Sequence, residues 1–128
     1  MTGTLHTRKV FGLGLNKTGT TSLGEALNML GIRTIHYPFK RATYEELASG
    51  CFRLSILDRY DAIVDTPAAP YYPQLDASWP GSKFILTLRE PESWLRSIEA
   101  HWPVMRDWCR CDPQFGRFTD FISAVVYG

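Results

Sequence analysis

Residues 14–22, a stretch rich in glycine and hydroxyl side chains, have the composition of a loop that binds an anion. Gly14 and Gly19 lack a Cβ atom, so the backbone can approach a ligand closely at both positions. One lysine supplies positive charge, while hydroxyl and amide groups add neutral donors. The residues predicted to contact the anion are Asn16, Lys17, Thr18, Gly19, Thr20, Thr21 and Ser22.

The spacing of these residues differs from that of the P-loop that binds nucleoside triphosphates. That loop has the form G-x-x-x-x-G-K-[ST], with its lysine directly after the second glycine. Gly14 and Gly19 keep the spacing, but Thr20 occupies the lysine position and Lys17 lies two residues before Gly19. The pattern therefore argues against a magnesium-dependent kinase, which needs the later lysine. A small P-loop kinase stays as an alternative.

A second candidate anion site combines Arg89 with Ser97. Arg89 follows a predicted strand, and Ser97 lies about two turns into a helix that is predicted to begin at Pro91. An arginine can donate two parallel hydrogen bonds to phosphate oxygens, and a serine hydroxyl can add a third. Alternatively, Arg89 pairs with a neighbouring glutamate on the surface and Ser97 has no role.

The segment Lys17-Thr-Gly-Thr-Thr21 resembles the loop K-[ST]-G-T-[ST] of the sulfotransferase family, which follows the first strand and binds the 5′-phosphosulfate of PAPS (3′-phosphoadenosine 5′-phosphosulfate). Arg89-Glu-Pro91 and Ser97 resemble the family's R-[DE]-P-x-x-x-x-x-S pattern, which binds the 3′-phosphate. The resemblance implies sulfuryl transfer from PAPS to a hydroxyl or amine of a small molecule or glycan, without a metal. It also implies that Lys17 and Arg89 bind opposite ends of one nucleotide, and that Lys17 stabilises charge in the transition state.

A general base must take the proton of the acceptor. Family members carry a catalytic histidine or acidic residue near the end of the third strand, so the resemblance makes Asp65 the first candidate. An aspartate there could instead cap the following turn. His36 is the second candidate, with a structural residue or a lining residue of the acceptor cleft as its alternative roles. His101, placed on outer turns of a late helix, is the least favoured.

The predicted elements that position these residues alternate between strand and helix, which indicates an α/β fold of three layers with a central parallel sheet and helices on both faces. Apolar runs predict strands at residues 9–15, 32–36, 61–65 and 83–88. Helices are predicted at residues 20–30, 43–50, 70–77 and 115–127, and from Pro91 to a kink or end at Pro103. The residues Thr43 to Glu46 have the spacing of a capping box.

The size of the chain, 128 residues, predicts a single domain. Because sulfotransferase domains are usually longer, the resemblance implies an incomplete domain, with a non-catalytic remnant that binds anions as an alternative. The net charge of +1 gives no attraction to nucleic acid or membrane. An odd number of cysteines and no secretory signal favour the cytoplasm.

The aromatic residues of the C-terminal third are expected in the core rather than in a binding surface. Tyr71 and Tyr72 could line the acceptor pocket or cover the sheet, and Tyr37 and Phe39 are expected at the rim of that pocket. The apolar C-terminal helix predicts pairing into a homo-oligomer.

Overall fold

The computed structural model describes residues 8–128. Within this range the chain alternates strands and helices and then ends in two consecutive helices. The strands are β1 (Val10–Gly12), β2 (Thr34–His36), β3 (Ala62–Val64) and β4 (Lys83–Ile85), and the helices are α1 (Thr20–Met29), α2 (Arg41–Ala48), α3 (Tyr72–Ser78), α4 (Pro91–Cys111) and α5 (Pro113–Tyr127). A short 3₁₀ helix at Ser55–Asp58 precedes β3.

The four strands form one parallel sheet in the order β2-β3-β1-β4. Because side chains alternate along a strand, residues that are level in the register share a face. Phe11 is level with Ile63 and Phe84, and these three belong to the larger core, whereas the smaller core contains residues that stand before or after them in the strands: Val10, Ala62, Val64 and Ile85. The sheet is therefore covered on both faces, which confirms the predicted three-layer α/β fold.

Helix α1 covers one face through Leu23 and Leu27, which pack with Ala62 and Val64. It ends at Met29, and Gly31 takes the predicted position just after the C-cap, with a φ of 85° in the left-handed region that glycine tolerates best. The other face is covered by α2, the 3₁₀ helix, α3 and α5. Its buried residues are Phe11, Leu47, Leu54, Leu57, Ile63, Ala68, Leu75, Trp79, Phe118 and Ile122.

Helix α4 differs from the other helices because none of its residues is fully buried. It packs mainly against α5, and the aromatic ring of Trp108 stands edge-on to that of Phe115 with centroids 5.9 Å apart. Pro103 was predicted to kink or end this helix; the predicted end is wrong, since the helix continues to Cys111, and the kink stays a prediction. Pro103 is exposed, so the hydrogen bond that proline cannot donate is lost where water can replace it.

Two further expectations are corrected by the packing. The capping box is wrong, because α2 begins at Arg41 and Thr43 is buried inside it, while the carboxylate of Glu46 accepts from the backbone N–H of Ser55. The aromatic residues of the C-terminal third divide: Phe115 and Phe118 are buried as expected, but Trp102 and Trp108 are about half exposed. The apolar face of α5 is used within this chain, and pairing through it stays a prediction.

Candidate functional site

The loop between β1 and α1 places a run of unpaired backbone donors beside a lysine. Gly19, at the N-cap of α1, has a φ of 89°, and Lys17 has a φ of 65°. Within the part of the chain that the structure describes, the backbone N–H groups of residues 16–22 donate no hydrogen bond. Successive free N–H groups at the start of a helix form a common binding site for phosphate and sulfate groups.

The loop is held against the end of β4 by threonine hydroxyls. The hydroxyl of Thr18 donates to the carbonyl of Leu15 and lies 2.9 Å from the hydroxyl of Thr87. Gly14 passes so close to both threonines that a Cβ atom there would collide with their hydroxyls. Gly14 is therefore required because its backbone packs closely against Thr18 and Thr87 of the same chain. The sequence had instead suggested that the backbone approaches a ligand there.

Arg89 contacts the same loop from the end of β4. Its Nη1 donates to the carbonyl of Lys17 at 3.0 Å and its Nε donates to the hydroxyl of Ser93 at 3.0 Å. Three of the five guanidinium N–H donors thus have no partner among residues 8–128. Ser97 lies half-buried one turn beyond Ser93 on α4, and no hydrogen bond joins it to Arg89 in the described chain.

Asp65 and His36, the two candidate bases, meet each other. They follow the neighbouring strands β3 and β2, and Asp65 Oδ2 lies 3.0 Å from His36 Nε2. The side chain of Asp65 is 5% exposed and that of His36 is 42% exposed. The hydroxyl of Thr20, predicted to face the anion, instead lies 3.1 Å from His36 Nε2 and donates to Asp65 Oδ2 at 3.5 Å. The other oxygen, Asp65 Oδ1, accepts from the backbone N–H of Thr66 at 2.7 Å.

These groups open into one cavity of about 440 Å³, here called the loop cavity. Residues of the loop, of the Asp65–His36 pair and of an aromatic wall line it: Asn16, Lys17, Thr21, His36, Tyr37, Phe39, Asp65, His101, Met105, Trp108 and Phe115. Lys17, Tyr37 and Asp65 are the non-glycine residues with positive φ in the described chain, and all three belong to this lining. Left-handed backbone at such residues is unfavourable and clusters at functional sites.

Arg89 lines a different cavity of about 330 Å³, together with Gly14, Thr18 and Trp94. Residues of the loop line both cavities. Arg89, which lines the second cavity, donates to the carbonyl of Lys17, which lines the first. The indole N–H of Trp94 adds a second tie, because it donates to the carbonyl of Asn16 at 2.9 Å. Helix α4 is thus fixed to the loop through its first turns.

His101 lies in the loop cavity rather than on the outer turns where the sequence had suggested it. Burial lowers its pKa below the ordinary value, and the positive charge of Lys17 lowers it further, while Asp65 opposes the shift. Its ring stands edge-on to Trp108 with centroids 5.6 Å apart. The surroundings of His101 in this cavity therefore disfavour its charged form.

Known proteins match a range of the chain that includes the residues of both cavities. A family profile described as "Sulfotransferase domain" matches residues 9–127, which is nearly the whole chain. The chain belongs to the sulfotransferase family. A relative in Aspergillus versicolor, named "Ava biosynthesis cluster protein M", is 34% identical over 117 residues, covering 78% of this chain and 45% of the relative. The sulfotransferase chain thus spans less than half of that relative's length.

The sequence did not indicate several residues that line the loop cavity. Met105 and Trp108 reach it because α4 continues past Pro103, which the sequence predicted as a kink or end. Tyr71 packs on Phe52 against the core, so it covers the sheet instead of lining this cavity. In residues 8–128 no group of three or more potential metal ligands occurs, and no helix is long and apolar enough to span a membrane.

Proposed function

We propose that the chain carries the donor and acceptor sites of a PAPS-dependent sulfotransferase. The observation that carries the proposal is that Lys17 shares one cavity with the Asp65–His36 pair. A cation for the leaving phosphate and a base for the attacking hydroxyl must lie close together, because the transferred group passes between them. The family membership supports the same reaction class.

Both the backbone N–H groups of the loop and the charge of its lysine are suited to bind an anionic donor. The unpaired N–H groups of residues 16–22 would bind the 5′-phosphosulfate together with Lys17 and the hydroxyl of Thr21. The remaining guanidinium donors of Arg89, with Ser97 as predicted, would bind the 3′-phosphate. The chain would thus select a nucleotide with phosphate groups at both positions.

The Asp65–His36 pair would supply the base. When Asp65 accepts the Nε2–H of a neutral His36, the other ring nitrogen, Nδ1, has a free lone pair. That nitrogen would take the acceptor's proton as its oxygen attacks sulfur, while the bond from sulfur to the leaving phosphate oxygen breaks beside Lys17. Asp65 is then a positioning residue, and His36 takes the role for which Asp65 was the first candidate in the sequence.

The donor site is tested by titrating the chain with adenosine 3′,5′-bisphosphate in a calorimeter. We expect binding that needs no metal, weakens at least tenfold in Lys17→Ala and in Arg89→Ala, and is unchanged in the exposed control Arg110→Ala. Binding of ATP with magnesium but not of the bisphosphate would favour the kinase alternative. Binding of neither would contradict the proposal.

Catalysis is tested separately by transfer of radiolabelled sulfate from PAPS to a panel of phenols and alcohols. Lys17→Ala should lower turnover by a factor of about 100 or more. Its thermal unfolding should match that of the wild type, because the Lys17 side chain donates no hydrogen bond to any group of residues 8–128. Bisphosphate binding without any transfer would instead favour a non-catalytic remnant.

A further inference from the structure

A second cavity adjoins the loop cavity beneath α4. It has a volume of about 170 Å³ and is here called the inner cavity. Its walls come from α4 and α5, with apolar side chains predominating: Leu95, Ile98, Trp102, Ile122 and Val126. Three residues, Asn16, Tyr37 and Met105, line both cavities. The two cavities are therefore neighbours that share these three residues in their linings.

Tyr37 is the fixed part of this partition. Its hydroxyl lies 2.9 Å from that of Thr119, and its ring stands edge-on to Phe118 with centroids 5.2 Å apart. Burial raises the pKa of Tyr37 to about 12, so the hydroxyl keeps its proton and its hydrogen bond at neutral pH. The contacts on several sides leave this ring little freedom to move.

Met105 is the adjustable part. It is half-buried on α4, the helix without a fully buried residue. Its unbranched side chain has three rotatable bonds, so it can change its shape at low cost. Of the residues shared by the two linings, Met105 is therefore better able to change its rotamer than Tyr37.

The two cavities differ in the chemistry of their linings. The loop cavity is lined by the ionisable residues Lys17, His36, Asp65 and His101 and by the rings of Phe39, Trp108 and Phe115. The inner cavity has no charged residue in its lining. A cavity with an apolar lining binds hydrocarbon better than it binds water.

We infer that the acceptor is an aromatic alcohol or phenol with an apolar substituent, and that Met105 determines the substituent's length. The hydroxyl would lie beside His36, the ring between the aromatic side chains of the loop cavity, and the substituent past Met105 in the inner cavity. The inference rests on the proposed function for the role of the hydroxyl. The binding geometry itself requires only the two cavities.

The test is a calorimetric series of para-alkylphenols from methyl to hexyl on the wild-type chain. We expect the dissociation constant to fall about fourfold per methylene, the factor that burial of one methylene provides, until the inner cavity is full. Met105→Trp should abolish this dependence on chain length. Met105→Ala should extend the series to longer chains.

Val104→Trp is the matched control, because Val104 neighbours Met105 on α4 and lines neither cavity. It should keep the wild-type dependence on chain length. An affinity that is independent of chain length in the wild type, or an unchanged series in Met105→Trp, would overturn the inference. Because the readout is binding without PAPS, a chain that binds alkylphenols as expected but not the bisphosphate would contradict only the proposed function. The reverse result would contradict only this inference.

Discussion

At the scale of single residues, the contact between Asp65 and His36 indicates which of the two candidate bases can reach a substrate and which one orients the other. Asp65 is buried, and its two oxygens are occupied by His36, Thr20 and the N–H of Thr66. His36 is more exposed and lines the cavity with Lys17. The more accessible member of such a pair is the one that can reach a substrate, and the buried carboxylate fixes its orientation.

Substitutions at the pair should therefore be non-additive. His36→Gln should lower turnover by a factor of about 100 or more. Asp65→Asn should lower it less, because asparagine keeps the Thr66 contact and tolerates the φ of 73°. The double variant should be no slower than His36→Gln alone, as measured by kcat, because Asp65 acts through His36. If Asp65 itself were the base, Asp65→Asn would lose most activity and His36→Gln little.

The lowered pKa of His101 predicts a dependence of stability on pH. The folded state resists protonation of His101, whereas the unfolded chain binds the proton near pH 6.5. Unfolding then takes up a proton, so this residue lowers the free energy of unfolding as the pH falls below about 6.5 and has no effect well above it. His101→Gln should show a flatter decline in denaturant titrations between pH 7 and pH 5. An identical decline in both proteins would contradict this assignment.

At the scale of elements, the loop depends on the close packing of Gly14 against Thr18 and Thr87. Gly14→Ala should lower the free energy of unfolding by about 1–3 kcal/mol, since the added methyl group has no space. It should also weaken bisphosphate binding, because the loop must shift. Adding Thr87→Ala removes one colliding hydroxyl and should restore part of the stability. A double variant no more stable than Gly14→Ala would show that the collision is not the cause.

The strands, the loop and α1 could be predicted from the sequence because their signals are local. Apolar runs, a glycine-rich loop and Gly31 at the end of α1 each act within a few residues. The course of α4 could not be predicted, because contacts with α5 outweigh the local effect of Pro103. The aromatic and methionine lining of the loop cavity follows from that course. The sequence named both Asp65 and His36, but it could not show their contact, because that contact joins residues that follow different strands and no local pattern reports it.

At the scale of the whole molecule, the residues at the carboxyl ends of the parallel strands differ in role from those at the amino ends. The carboxyl ends of the strands carry the loop, Asp65 and His36. At the amino end, Lys9 is buried just before β1, and its ammonium donates to the carbonyls of Leu57 at 2.7 Å and Tyr60 at 3.2 Å. It also lies 5.4 Å from the centre of the Trp79 ring. Lys9 thus joins the start of the sheet to the segment that leads into β3.

Lys9→Met should separate stability from function. Methionine keeps much of the side-chain volume but leaves the carbonyls of Leu57 and Tyr60 without their donor, so the free energy of unfolding should fall by about 1–3 kcal/mol. Denaturant titration measures this fall, and Lys83→Met on the exposed start of β4 is the control that should change little. Bisphosphate affinity should be the same in all three proteins, because Lys9 lies at the opposite edge from the loop. A Lys9→Met chain as stable as the wild type would mean that removing the ammonium from water costs as much as its two hydrogen bonds and the Trp79 contact contribute.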